Sequence, residues 1–316
     1  MDWNNKKILV TGGSGFIGSH LIDKLLELGA DVTAADVKQP KNPPLNVKFV
    51  ECDITDSNSI DKVVKDKEFV FHLAAIANPG KCEENPDLAF RMNVEGTFNV
   101  LHSSLNNKVK KVVFSSAASL YGRYPQYIPI DEKHPIEPFQ TVYLATKRAC
   151  ELFCDFFQEK YKLPLIYFRL FTVYGPRQIP EFFIPTVISK ALKSDVFDLW
   201  NSKPTRDFVY VADVVDALIK GAESDYVSGP LNIGSGREIH VGELAKIIIT
   251  HIEQLQNRKI EVKYLEKDVM GPMRLLCDNR KIKQVLGWEP KVSLEDGIKE
   301  TVKWYIENEK LIDNTT

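Results

Sequence analysis

The stretch KILVTGGSGFIGSH, residues 7–20, carries an apolar run through three glycines directly into a helical pattern. Apolar residues recur at helical spacing over 16–28, so the sequence predicts a strand, a tight turn and a helix. Gly12 permits the turn, Gly15 lets a pyrophosphate approach the backbone, and Gly18 allows close packing of helix on strand. Unpaired amides at the start of the helix then face the phosphates. The stretch therefore predicts a dinucleotide-binding turn.

An acid at the end of the next strand refines this prediction. Asp36 closes the apolar run 31–36, which follows the predicted helix. A carboxylate there accepts hydrogen bonds from ribose hydroxyls and repels a 2'-phosphate, so the pattern favours NAD over NADP. Asp53 and Ile54, after the third strand, are expected to flank the adenine, with an ordinary helix cap as the alternative for Asp53.

The rest of the chain alternates strands and helices. Further apolar strands are predicted at 31–36, 48–54, 69–75, 110–116 and 163–171, and helices at 57–65, 86–105 and 142–161. Apolar strands separated by helices predict a Rossmann-type, doubly wound parallel sheet over residues 1–174. Residues 175–316 are expected to form mainly a smaller substrate-binding α/β lobe, with segments near 206–234 returning to the first domain. Its predicted elements are helices near 184–193, 241–255 and 294–309 and a strand at 230–234.

Composition excludes several kinds of partner. Lys+Arg 41 against Asp+Glu 43 gives a net charge of -2 over 316 residues, which provides no broad field for nucleic acid or anionic membrane. The polar start predicts no signal peptide, and no apolar run approaches the roughly 18 residues that span a bilayer. Five scattered cysteines without partner histidines predict no metal site and buried thiols of a cytoplasmic protein.

Catalytic chemistry is suggested by TVYLATK, residues 141–147, in which Tyr143 precedes Lys147 by four positions. Residues at this spacing share one face of a helix. A lysine ammonium and a nicotinamide cation both favour phenolate, so the pKa of Tyr143 is predicted to fall below about 10. The tyrosine would then accept a proton from an alcohol.

Together these motifs resemble the extended short-chain dehydrogenase/reductases of the NAD-dependent nucleotide-sugar epimerase/dehydratase family, and within it the UDP-glucose 4-epimerase type. The resemblance runs from Lys7 to about Tyr305. Besides the glycine turn and the Tyr143–Lys147 pair, it rests on HLAA (72–75), NVEGT (93–97), YG (121–122), VYGPRQ (173–178), RDFVYVADVVDA (206–217), LNIGSG (231–236) and LGWEP (286–290).

The resemblance implies an enzyme that uses NAD for redox at carbon 4 of a nucleoside-diphosphate sugar. Residues expected to contact NAD are Gly12, Gly15, Phe16, Ile17, Gly18, Asp36, Asp53, Ile54, Leu73, Ala74, Ala75, Asn93, Ser115, Tyr143, Lys147 and Phe171. Arg206 and Arg274 are expected to grip the diphosphate, each with a surface ion pair as the alternative. A homodimer is implied through helices 86–105 and 142–161, whose apolar residues include Phe90, Leu101, Phe153 and Phe157.

Two departures from the family pattern leave the hydroxyl partner of the sugar open. Ala117 occupies the position where the family usually has Ser or Thr, and Thr172 replaces the usual Asn beside the substrate. Alternate strand residues share a face, so Ser119 inherits the side of Ala117 if the strand continues. If the strand breaks at Ala117, Ser116 could turn toward the substrate. The expectation favours Ser119 and keeps Ser116.

The preferred hypothesis is a 4-epimerase in which Tyr143 takes the hydroxyl proton and Lys147 holds the ribose. A sugar dehydrogenase or keto-reductase that releases product after one hydride transfer is the main rival. Dehydratases and decarboxylases of this fold place acids just before the Tyr-Gly pair, whereas this chain has Ala118 and Ser119, so these readings rank lower. A non-catalytic NAD-binding sensor is a remote alternative.

Overall fold

The computed structural model of the chain describes residues 1–39, 47–137, 141–200, 202–265 and 271–308. Its strands are β1 (Lys7–Thr11), β2 (Asp31–Asp36), β3 (Lys48–Glu51), β4 (Phe69–His72), β5 (Lys111–Ala117), β6 (Leu165–Leu170), β7 (Thr172–Tyr174), β8 (Val196–Trp200), β9 (Thr205–Tyr210), β10 (Pro230–Ile233), β11 (Glu238–His240) and β12 (Glu261–Leu265). Its α-helices are α1 (Phe16–Glu27), α2 (Ser57–Val64), α3 (Pro79–Glu84), α4 (Pro86–Phe90), α5 (Gly96–Asn106), α6 (Val142–Tyr161), α7 (Phe183–Lys193), α8 (Val211–Glu223), α9 (Val241–Gln256), α10 (Arg280–Leu286) and α11 (Leu294–Glu307).

Seven strands form the main sheet in the order β10-β6-β5-β4-β1-β2-β3. All its strand pairs are parallel. The chain leaves β1 toward β2 on one side and returns to β4 on the other, so the order reverses between β1 and β4. A crevice at the carboxyl ends of such strands is where doubly wound sheets bind ligands. The predicted doubly wound fold is confirmed.

Helices cover both faces of this sheet and explain why its strands are so apolar. Helices α1 and α8 pack on one face, where Leu21 and Leu218 are fully buried. Helices α2, α5 and α6 pack on the other face, where Leu101 and Phe157 are buried. The sheet is therefore a rigid base whose carboxyl edge carries the loops of the site.

A smaller α/β lobe follows, as predicted. It contains the three-stranded sheet β11-β9-β7 and the two-stranded sheet β12-β8. Helices α7, α9 and α11 supply its separate core, which includes Val187, Ile248 and Val302. Strands β7, β8, β11 and β12 were not predicted from the sequence.

The chain crosses between the two sheets at Phe171. Strand β6 ends at Leu170 in the main sheet, and β7 begins at Thr172 in the small one. The backbone N–H of Phe171 donates to the carbonyl of Ile233 at 2.9 Å. The single strand predicted over 163–171 is therefore divided. Within 206–234, β10 is a strand of the main sheet and α8 packs on its face, whereas β9 pairs with β7 and β11.

The helix predicted over 86–105 is interrupted by a π-helical turn, Arg91–Glu95, between α4 and α5. Leu101 and Phe157 are buried beneath the parent sheet, so the prediction that they belong to an intersubunit surface is wrong. Phe90 is 56% exposed. The sequence could not decide this, because both faces of these helices carry apolar residues.

None of the helices in the described ranges is long and apolar enough to cross a bilayer. Within the same ranges, no three His, Cys, Asp or Glu side chains cluster in a way that could hold a metal ion. All five cysteines are free and buried.

Candidate active site

The glycine turn lies at the switch point of the main sheet and leaves no room for a side chain at Gly12 or Gly18. Gly12 has a φ of +71°, which favours glycine, and a Cβ there would lie 2.7 Å from the backbone nitrogen of Ala74. A Cβ on Gly18 would lie 2.1 Å from the carbonyl oxygen of Gly12. Gly15 precedes α1 and gives that helix no side-chain cap. The first amides of α1 are thus open to an anion.

Asp36 lies beside this turn. Its carboxylate accepts the N–H of Ser14 at 3.0 Å and the N–H of Val37 at 2.8 Å. The turn and the end of β2 are therefore joined, and the carboxylate is half-buried at the edge of the crevice. Phe16 and Ile17, the first residues of α1, are also half-buried there. A backbone cradle that a Cβ would fill, followed by this acid, fits an adenine dinucleotide.

Two residues predicted to contact the cofactor, Asp53 and Ile54, make contacts within the protein after β3. Asp53 accepts the N–H and hydroxyl of Thr55 at 2.9 Å, which closes a local turn before α2. Ile54 is buried, and its Cδ1 atom lies 2.5 Å from where a Cβ on Gly96 would be. Asp56, rather than Asp53, caps α2. Contact of Asp53 and Ile54 with the adenine stays a prediction.

Residues 73–75 border the glycine turn and are half-buried. Asn93, predicted beside them, is buried with its amide fully engaged. Its Oδ1 accepts the N–H of Ile76 at 2.8 Å, and its Nδ2 donates to Thr146 Oγ1 at 3.0 Å. Asn93 therefore ties the segment after β4 to α6, and its contact with NAD stays a prediction.

Tyr143 and Lys147 share one face of α6, as predicted. Thr141 caps this helix by accepting the N–H of Leu144 at 3.3 Å, and Glu83 accepts the N–H of Val142 at 2.6 Å. Tyr143 thus sits in a first turn that two side chains hold in place.

Lys147 is buried and donates to the carbonyl of Ser115 at 2.9 Å, with its ammonium 5.0 Å from the centre of the Phe114 ring. Burial lowers the pKa of Lys147. Burial, followed by the nearby thiols of Cys82 and Cys150, raises the pKa of Tyr143. The predicted lowering of the Tyr143 pKa is therefore not produced by the protein groups alone, because burial disfavours the charged phenolate.

The structure after β5 shows which serine hydroxyl is available to a substrate. Strand β5 ends at Ala117, and residues 118–121 form one 3₁₀ turn, called the serine turn below, so the strand does not persist to Ser119. The Ser116 hydroxyl points away from this turn and donates to Glu151 Oε1 at 2.7 Å in the interior. Ser119 is half-buried, and no protein group in the described chain bonds its hydroxyl. Ser119 is thus available to a ligand because of the turn, whereas Ser116 is engaged.

Phe171 is buried, with its ring 6.5 Å from the Tyr121 ring, so it supports the serine turn from behind. Thr172 follows at the start of β7 and is half-buried. The contact of Phe171 with nicotinamide and the contact of Thr172 with the substrate stay predictions.

The two predicted arginines differ in their partners. The Arg206 guanidinium donates to the carbonyl of Thr205 at 2.8 Å, and no carboxylate of the described residues pairs with it. Burial lowers the pKa of Arg206 to about 10. Arg274 binds Glu238 through Nε at 3.0 Å and Nη2 at 2.7 Å. Among the described residues Arg206 has no anionic partner, and a half-buried cation is stabilised by binding one. Arg274 already has the ion pair that the sequence analysis kept as an alternative.

Sequence reasoning missed the structural role of two aspartates in the 206–217 motif. Asp207 is buried and accepts backbone N–H groups of Ser235, Gly236 and Cys277. Asp213 accepts the N–H groups of Lys291 and Val292 at 3.0 and 3.1 Å. These carboxylates hold the 231–236 and 286–290 motifs in place. The sequence signal for both aspartates was their place in the 206–217 motif.

Comparison with known proteins agrees with this arrangement. Residues 8–234 match the family model described as the NAD dependent epimerase/dehydratase family. A putative UDP-glucose 4-epimerase of Methanocaldococcus jannaschii is 37% identical over 96% of this chain and 99% of its own length. The dTDP-D-glucose 4,6-dehydratase of Mus musculus is 32% identical over 96% of this chain and 89% of its length. A solved UDP-glucose 4-epimerase of Thermotoga maritima with UDP-glucose superposes with a TM-score of 0.89 at 33% identity, covering 95% of this chain and 99% of that one.

Proposed function

The chain belongs to the NAD-dependent epimerase/dehydratase family, and we propose that its reaction is the 4-epimerisation of a nucleoside-diphosphate sugar. One observation carries this choice within the family. The turn after β5 presents Ala118 and Ser119 while Tyr143 and Lys147 share a helix face. A dehydratase needs an acid and a base to remove water from carbons 5 and 6, and this turn supplies neither. Proton transfer at a single hydroxyl needs only the tyrosine.

The glycine turn, the first amides of α1 and Asp36 would hold the dinucleotide. When bound, NAD supplies the hydride acceptor and donor and brings a positive charge toward Tyr143. That charge favours phenolate and opposes the effect of burial on the Tyr143 pKa. The phenolate oxygen would then take the proton of the carbon-4 hydroxyl, and Ser119 would orient the same hydroxyl. Lys147, fixed on the Ser115 carbonyl, would keep its ammonium near the ribose.

Arg206 and Arg274 would bind the diphosphate, which does not react. Arg206 can do so directly, because it has no carboxylate partner among the described residues. Arg274 must share or release Glu238 first. Anchoring by the diphosphate leaves the sugar free to present its other face while the substrate stays bound.

The experiment is to follow nucleotide sugars, including UDP-glucose and UDP-N-acetylglucosamine, by NMR with purified protein. An epimerase interconverts the carbon-4 isomers without net formation of NADH. Tyr143→Phe should lower turnover by roughly 10²–10⁴-fold, the usual weight of a general base, and leave NAD affinity unchanged. Conversion that survives in Tyr143→Phe would contradict this mechanism.

A second candidate is a dehydrogenase or keto-reductase that releases the product of one hydride transfer. Ala117 and Thr172 favour it, because both depart from the usual epimerase pattern beside the sugar. Stoichiometric appearance of NADH absorbance with a nucleotide sugar, without formation of its carbon-4 isomer, would support this candidate against the epimerase.

We also propose a homodimer, formed by the outer faces of α4, α5 and α6. Five large apolar side chains are exposed on these neighbouring helices: Leu88, Phe90, Phe98, Leu152 and Phe156. Phe98 packs edge to face on Phe153 with ring centres 5.4 Å apart, which joins α5 and α6 into one surface. Contiguous exposed apolar residues of this kind are typical of protein interfaces. A second copy buries this surface symmetrically.

A cytoplasmic location is the companion proposal. Five buried free thiols support it, because reducing compartments keep cysteines in this state.

A further inference from the structure

Glu151 and Arg169 form an ion pair directly behind the serine turn. The Arg169 Nε and Nη2 atoms bind the two Glu151 oxygens at 2.8 Å each. The side chain of Glu151 is 0% exposed and that of Arg169 is 4% exposed. The pair is planar and two-pronged, the geometry in which Arg and a carboxylate fix each other most firmly. Arg148, at the helix surface and 29% exposed, also donates to Glu151 Oε2 at 3.0 Å.

The pair holds both ends of the segment that carries Ser119. At one end, the Ser116 hydroxyl donates to Glu151 Oε1 at 2.7 Å. At the other end, Arg169 Nη1 donates to the Tyr121 hydroxyl at 3.1 Å, and the guanidinium lies 4.9 Å from the centre of the Tyr121 ring. Ser119 lies between these two attachments, in a 3₁₀ turn that the ion pair spans.

A third tie completes the arrangement. The Tyr121 hydroxyl donates to Asn232 Oδ1 at 2.7 Å, and Asn232 is fully buried on β10. The turn is therefore attached to α6 through Glu151, to β6 through Arg169 and to β10 through Asn232. Each of these attachments is shielded from water.

The same ion pair is anchored in the helix of the catalytic tyrosine. Glu151 follows Lys147 by one helical turn and Tyr143 by two, so it lies on the same side of α6. Arg169 comes two residues before Phe171, where the chain leaves the main sheet. Ser119 and Tyr143 belong to different elements. The ion pair is one buried connection between them, and the bond from Lys147 to the Ser115 carbonyl at 2.9 Å is another.

Burying two charges costs more free energy than burying apolar side chains of the same size, and such a pair contributes little net stability. The presence of such a pair beside the site is therefore better explained by a role in fixing geometry than by stability. We propose that Glu151 and Arg169 are positioning residues, which set the Ser119 hydroxyl relative to the Tyr143 phenol for proton transfer. This inference rests on the proposed function, because it assigns the pair to the reaction of that site.

The test replaces the pair by apolar residues, Glu151→Leu with Arg169→Met, which removes both charges together. Turnover should fall by about 10- to 100-fold, the scale of a misplaced catalytic group, while NAD affinity changes less than about twofold. The Gly122 amide, which donates to the Ser119 carbonyl at 3.1 Å, should lose protection from hydrogen exchange. Tyr167→Phe is the matched control. It removes the neighbouring α6–β6 bond from Tyr167 to Asp155, which does not reach the turn, and should leave turnover unchanged.

A double-mutant cycle tests whether the pair acts through Ser119. In a Ser119→Ala background the apolar replacement should lower turnover by less than about threefold further, because the group it positions is already gone. An undiminished loss in that background would overturn the proposal, and so would full turnover in the folded double replacement.

If the double replacement does not fold, two single variants keep the ion pair. Ser116→Ala removes the attachment to Glu151, and Tyr121→Phe removes the hydroxyl bonds to Arg169 and Asn232. Each should lower turnover by about three- to tenfold, and the loss should vanish beside Ser119→Ala. Unchanged turnover in both would refute the positioning role. Failure of the proposed function is distinguishable, because the unmodified protein would then not interconvert nucleotide sugars at all, while the exchange of the Gly122 amide would still report on the turn.

Discussion

The glycine turn is expected to have two tasks, which are close packing of α1 at Gly18 and approach of the pyrophosphate at Gly15. Replacing each glycine by alanine should separate these tasks. In Gly18→Ala the new Cβ would lie 2.1 Å from the Gly12 oxygen, more than 1 Å inside an ordinary carbon–oxygen contact of about 3.3 Å. Helix α1 must therefore move away from the turn by about 1 Å. Overpacking of this kind costs about 1–3 kcal/mol. The unfolding entropy is about 2.1 cal/mol/K per residue, so for a chain of 316 residues this corresponds to a Tm lowered by roughly 1.5–4.5 °C.

Gly15→Ala is the matched variant. Gly15 has a φ of -76°, which alanine adopts without strain, and its Cβ would lie 3.2 Å from the Gly12 oxygen. The fold should therefore be kept, with a Tm within about 1 °C of the unmodified protein. The added methyl group would occupy the space where the pyrophosphate approaches the backbone. NAD affinity should fall at least about tenfold, or 1.4 kcal/mol.

Thermal unfolding followed by circular dichroism gives the first quantity. Calorimetric titration with NAD, after removal of co-purified nucleotide, gives the second. A Gly18→Ala protein as stable as the unmodified one would refute the packing argument. Unweakened NAD binding in Gly15→Ala would refute the placement of the pyrophosphate at this turn.

Three further changes test other parts of the site. Asp36→Asn keeps an acceptor for the Ser14 amide but removes the charge that repels a 2'-phosphate. In binding titrations, the difference in binding free energy between NAD and NADP should narrow by on the order of 1–2 kcal/mol. Equal affinity of the unmodified protein for both cofactors would contradict the assignment. Phe156→Glu should convert the dimer to a monomer in sedimentation at micromolar concentration, whereas Leu255→Glu, equally exposed on α9, should not; a monomeric unmodified protein would contradict the interface. Arg274 lowers the pKa of Glu238 below its usual 4.5, so the pair stabilises the fold above about pH 4.5 and this contribution is lost as the pH falls through the lowered pKa. Glu238→Gln should therefore lower stability by about 0.5–1 kcal/mol at pH 7 and by nothing at strongly acid pH, and it should tighten binding of uridine diphosphate; a pH-independent difference would exclude the pair as its cause.

The parts of the site that were predictable are local in sequence. The glycine turn and Asp36 lie within about one strand–helix–strand unit, and the four-residue spacing of Tyr143 and Lys147 is fixed by the helix itself. Such features follow from backbone geometry alone. They needed no knowledge of how distant elements meet.

The hydroxyl of the serine segment was not decidable in this way. Alternation along a strand predicts the face of Ser119 only while the strand lasts, and the 3₁₀ turn ends it at Ala117. The engagement of Ser116 depends on Glu151, which lies 35 positions away. Nothing in the local pattern reveals that partner, because tertiary packing chooses it.

The partner of Arg274, Glu238, could not be predicted from the sequence for a similar reason. These residues are 36 positions apart, and Glu238 belongs to the short strand β11, which the sequence did not reveal. The exposed apolar residues of α5 and α6 could not be predicted for a different reason. Apolar residues surround α5 and α6, so periodicity could not show that Leu101 faces the sheet and Phe156 faces outward.

The place of β10 in the main sheet has a consequence for synthesis of the chain on the ribosome. Strand β6 ends at Leu170, but its partner β10 begins only at Pro230, after the chain has passed through the smaller lobe. Trp288, buried in the core that contains α1, is translated later still. The nascent amino-terminal half must therefore emerge with an unpaired apolar edge, and it cannot complete its own sheet from contiguous sequence. We expect such a chain to depend on chaperones until the last quarter is made, and a fragment that stops at residue 174 to aggregate.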